Sequence, residues 1–103
     1  MQWLHLVAYF FGGAFFVNAI PHFIDGVSGR RFPTPFASPP GRGLSSPVVN
    51  VLWGSLNLVI AEVLLRLGSF HFRRTRELLI AGAGGLLMAI MLSRTFAGRE
   101  GDK

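Results

Sequence analysis

Residues 3–24, WLHLVAYFFGGAFFVNAIPHFI, decide the fold: they contain no Lys, Arg, Asp or Glu. At about 1.5 Å rise per residue this block makes a helix of roughly 33 Å, against a bilayer hydrocarbon core of about 30 Å. Two further blocks repeat the pattern. Val48–Leu65 carries one charge, Glu62, and Leu78–Ser93 carries none. The third block is the shortest, so Glu77 and Arg94 at its ends are expected to snorkel, or the helix to run a little past them.

Composition supports the same reading. Half of the 103 residues are hydrophobic and 15% are charged. A soluble domain of this size buries only about 60–65% of its unfolded surface, which would leave large apolar patches in water. The expected fold class is therefore an all-α integral membrane protein, a single membrane domain over 1–103. It has three transmembrane helices, at about 3–25, 47–67 and 76–97, and an ordered Pro-rich first loop at 26–46. Localisation follows as multipass membrane, with a bacterial-type inner membrane compatible.

The net charge of +5 is distributed at the borders of the blocks: Arg30, Arg31 and Arg42; Arg66, Arg73, Arg74 and Arg76; Arg94, Arg99 and Lys103. That placement points to anionic lipid headgroups as partners, and away from nucleic acid, which would want a basic stripe along a soluble face. With the N-terminus outside, six Lys/Arg lie inside and four outside, a weak orienting bias. Val17-Asn18-Ala19 has the small-residue look of a signal cleavage site. Residues 1–5 hold no Lys or Arg, so a retained helix is expected. With no cysteine, disulfides and thiolate sites are excluded.

Local signals set the boundaries. Pro21 falls in the last turns of helix 1, where it removes a backbone donor and predicts a kink; Gly26 and Gly29 predict its end. The segment GVSGRRFPTPFASPPGRGLSS holds four prolines and two phenylalanines, Phe32 and Phe36, and is expected to fold back as an ordered cap. Ser46 and Pro47 form an N-cap and first-turn pair for helix 2, which is expected to end near Gly68. Gly98 is the expected stop for helix 3. Gly82, Gly85, Ala89 and Ser93 form a small-residue stripe suited to close helix approach.

Polar groups within apolar helices mark either helix contacts or sites. Asn18, His22 and Asp25 are spaced i, i+4, i+7 on helix 1; Asn50 and Asn57 are seven residues apart on helix 2. Roofed by Ser45, Ser46, Arg30 and Arg31, these five residues are the candidate ligand-binding pocket, the competing role being hydrogen bonding between helices. Glu62 points about 120° away from the asparagines, with Arg66 at i+4; it is either a simple ion pair or a proton-coupling carboxylate. His5 and His71 fall at one depth but belong to no ligand-spaced motif, so no metal or cofactor is expected.

No phosphate loop, nucleophile motif or paired carboxylates are present, so no catalytic residue is assigned. The favoured expectation is a non-catalytic protein that binds or transports a small solute or ion through the helix 1–helix 2 pocket, as a homo-oligomer or within a larger membrane complex. Two alternatives stand beside it: an accessory or assembly subunit, and a membrane enzyme acting on a lipid or quinone-like substrate through His22.

Overall fold

The structure is a computed structural model and describes residues 2–97. Three helices dominate it: α1 (Gln2–Val27), α2 (Pro47–Leu67) and α3 (Thr75–Thr95). Each is long and apolar enough to cross a membrane. The long axis of the molecule is 42 Å, close to a bilayer with its headgroups, about 40–45 Å. α1 lies in the middle and packs on both α2 and α3, and residues of all three border one open groove.

α1 continues through Pro21 to Val27, two residues beyond the expected end. Its stop is Gly29, at φ +76°, with Gly29 N–H on the Gly26 carbonyl and Arg30 N–H on the Asp25 carbonyl. That is the paired bonding of a Schellman ending, which needs a left-handed residue just past the helix. Gly26 has a different task. It stays helical and buried, and a Cβ there would overlap α2 at Pro47 and Val51.

α2 begins as its sequence predicts, with Ser46 Oγ accepting Val49 N–H at 3.2 Å and Pro47 in the first turn. It also ends where expected, at Leu67 with Gly68 as its C-cap. The left-handed residue is Ser69, at φ 57°, and the Schellman bonds run from Ser69 to Arg66 and from Phe70 to Leu65. Gly68 is retained for space: a Cβ there would strike the Tyr9 ring, whose hydroxyl donates to the Gly68 carbonyl.

α3 starts at Thr75 and ends at Thr95, earlier than the expected 97; Gly98 lies outside the described residues. Of the two outcomes expected at its ends, the helix runs past both Glu77 and Arg94, and Glu77 does not snorkel. It is turned inward, 8% exposed, and accepts His71 N–H at 2.7 Å and an Arg74 guanidinium N–H at 3.0 Å. It thereby ties down the α2–α3 corner. The α1–α3 contact uses Ala81, Gly84 and Gly85; a Cβ on Gly84 would overlap the Phe10 backbone, and one on Gly13 would overlap Ala81. Gly82, on the predicted stripe, faces open space.

The first loop folds over one end of the helices. Phe32–Pro33 (β1) pairs antiparallel with Leu44–Ser45 (β2). Between them the chain winds around buried Thr34, whose carbonyl accepts from Ala37 and Gly41 and whose hydroxyl lies 2.6 Å from Ser45 Oγ. Phe32 is buried between His22 and Phe96, at ring separations of 5.1 and 4.8 Å. Phe36 lies edge-on to Trp53. The cap therefore touches α1, α2 and Phe96, the residue that caps α3.

Candidate functional site

The spacing of Asn18 and His22 puts both on the α1 face that meets α2, opposite Asn57 and Asn50. The result is two rungs. Asn18 Nδ2 donates to Asn57 Oδ1 at 2.9 Å, and His22 Nδ1 lies 2.9 Å from Asn50 Oδ1. Asn57 and Asn50 are both 0% exposed, and His22 is 3% exposed. Gly54 lies between the two asparagines on α2, where a Cβ would strike the Phe23 backbone, so the helices come close enough for short side chains to bridge them.

Asn50 is the hub. Its amide nitrogen is within donating distance of three carbonyls, those of Phe32 at 3.0 Å, Ser45 at 3.2 Å and Ser46 at 3.1 Å. Three acceptors around one nitrogen fix the amide orientation, so the Asn50 oxygen faces His22. An oxygen acceptor requires His22 Nδ1 to carry a hydrogen. In the neutral ring Nε2 then holds the lone pair. Every fully buried side-chain nitrogen or oxygen among the described residues has a partner. Among the described residues no hydrogen bond reaches Nε2, and His22 as a whole is 3% exposed.

Asn57 completes the lower rung by donating to the Trp53 carbonyl at 2.8 Å, one turn back on its own helix. The cluster's amides are thus engaged with one another, with backbone and with the cap. Asp25 lies outside it. Its carboxylate pairs with Arg30 Nε at 3.0 Å, which draws Arg30 onto the end of α1 instead of over the asparagines. Arg31 is exposed and forms no ion pair among the described residues. Ser45 and Ser46 do roof the cluster, through their carbonyls.

Trp53 and Thr34 belong to this site and escape the sequence reading, and Phe32, expected only as part of the cap, borders His22 and Asn50. Trp53 was findable: it lies three residues after Asn50 and four before Asn57, on the same helical face, and its ring stands edge-on to His22 at 6.3 Å. Thr34 gave no periodic signal, because its burial depends on the fold of the cap.

Glu62 pairs with Arg66 at 2.8 Å on the outer surface of α2, both side chains more than half exposed. The pair borders a groove of about 800 Å³ lined also by Phe16, Leu58, Ala61, Leu65 and Phe70. On the other side of Phe16 a second groove, about 480 Å³, runs along Val17, Ala81, Gly85 and Ala89. His5 lies in a separate cavity with Tyr9, Arg74, Arg76 and Glu77. His71 instead turns its Nδ1 toward the Ser69 carbonyl. Among the described residues no group of three or more His, Asp or Glu is placed to hold a metal ion.

No family model, curated protein or solved structure matches this chain.

Proposed function

We propose that the chain is a non-catalytic, multipass membrane protein that acts by association within the bilayer, as an accessory subunit of a larger membrane complex. The observation that carries this reading is the open face shared by the three helices. Phe16, 52% exposed, stands there as a ridge between two apolar grooves. A ridge flanked by grooves is the surface that helix packing fills, and small residues along one wall, Gly82 and Ala89, let a neighbouring helix come close.

Three helices enclose no solute path, and the amides between α1 and α2 are spent on holding those helices and the cap together. Both features favour an interaction subunit over a transporter. Purification in mild detergent followed by native mass spectrometry tests the proposal. An unlike membrane protein should co-purify with the native chain and be lost with Phe16→Ala together with Gly82→Leu. A monodisperse homo-oligomer alone contradicts it.

One observation favours a second reading, a small-ligand site at His22: its Nε2, like Asn18 Oδ1, has no hydrogen bond among the described residues. A ligand with a hydroxyl or protonated amine would meet that acceptor. His22→Gln should then abolish binding while the purified chain keeps its partner. Glu62→Gln leaves partner recovery unchanged if the Glu62–Arg66 pair serves only α2, and any loss of proton flux in proteoliposomes would restore the transport reading.

A further inference from the structure

Between the cap and the end of α3 lies a crevice of about 610 Å³, lined by Pro33, Gly41 and Arg42 from the cap and by Arg94, Thr95 and the capping residue Phe96 at the end of α3. Arg42 and Arg94 are 52 positions apart in sequence, and the fold brings both to its walls. Neither forms an ion pair among the described residues, whereas Arg30, Arg66 and Arg74 each hold a carboxylate. Both are exposed. Among the described residues the only carboxylate at this end of the molecule is Asp25, already engaged with Arg30.

We infer that this crevice binds the phosphate-bearing headgroup of an anionic phospholipid, gripped by Arg42 and Arg94. Guanidinium groups present planar, bidentate donors matched to phosphoryl oxygens, and the volume falls within the range of small-molecule sites, about 300–1,000 Å³. The position selects the source of the phosphate. α3 is apolar up to Ser93, and Arg94 follows immediately, so the crevice opens where acyl chains give way to headgroups. Phe96 and Pro33 supply apolar walls beside the charge. This inference rests on the membrane-spanning reading and adds to it one defined site in place of diffuse attraction.

The test uses the full chain reconstituted in vesicles of one part phosphatidylglycerol to four parts phosphatidylcholine, then extracted in mild detergent for native mass spectrometry. Arg42→Gln with Arg94→Gln is compared with Arg73→Gln with Arg76→Gln, which removes equal charge at the opposite end. The native chain and the second pair should retain phosphatidylglycerol in preference to phosphatidylcholine, and the first pair should lose that preference by about tenfold. Equal loss in both pairs, or no preference in the native chain, overturns the site. Inorganic phosphate bound without lipid, with the same dependence on Arg42 and Arg94, overturns the headgroup as its source. A native chain that fails to float with vesicles overturns both the site and the membrane reading.

Discussion

α1 packs against its two neighbours by different means. Toward α2 it presents Asn18 and His22, and the contact is made specific by hydrogen bonds that also reach into the cap. Toward α3 it presents Gly13 and the Phe10 backbone to Gly84, Gly85 and Ala81, and the contact depends on closeness. In lipid the two strategies have separate uses. Apolar side chains gain nothing by leaving one hydrocarbon environment for another, so association comes from backbone proximity or from polar groups that have no better partner. Proximity tolerates sliding along the groove, whereas a pair of asparagines at a seven-residue interval fixes the register.

The comparison is broken most severely at the close contact. Gly84→Leu should drive α3 from α1 at a cost of about 3 kcal/mol or more, since the side chain would meet backbone and could not be absorbed by a rotamer change. Steric-trap or denaturant unfolding in bicelles would measure it, with single-cysteine crosslinks between α1 and α3 lost. Asn50→Leu comes next, at about 2–3 kcal/mol, because His22 and the carbonyls of Phe32, Ser45 and Ser46 lose their partner together. Its signature is early proteolysis of the cap while the helices persist. Asn57→Leu removes one rung and should cost about 1 kcal/mol, without freeing the cap.

The smallest effect lies outside both interfaces. Ser69 occupies a left-handed conformation that favours glycine, so Ser69→Gly should stabilise the α2 ending by about 0.5 kcal/mol. The same measurement on Gly68→Ala should show destabilisation, because Tyr9 fills the space a methyl group needs.

The helices are legible in the sequence because blocks of near-bilayer length with at most one charge admit few other folds. The polar seam is legible too, since Asn18, His22, Asn50 and Asn57 recur at helical spacing on two neighbouring helices. Asp25 continues the same spacing and so reads as a member of the seam, but at the end of α1 it pairs with Arg30 instead. The α2 end falls where Gly68 predicts it, although Gly68 acts there by lacking a Cβ and the positive φ belongs to Ser69. The stripe of Gly82, Gly85, Ala89 and Ser93 leaves its neighbour open; α1 meets α3 through Ala81, Gly84 and Gly85, and Gly82 faces open space. Thr34 and Glu77 were not foreseeable from periodicity: each is buried by a loop that folds back on it, a contact that no local spacing encodes.

The central claim is that the amides between α1 and α2 form a closed structural seam. Hydrogen exchange of the Asn50 and Asn57 side-chain amides, followed by nuclear magnetic resonance in lipid nanodiscs, tests it directly. The account predicts that both remain protected alongside the α2 backbone and are unaffected by added ions or small solutes. Exchange as fast as that of an exposed asparagine would contradict it, since water would then reach the seam and a solute could follow.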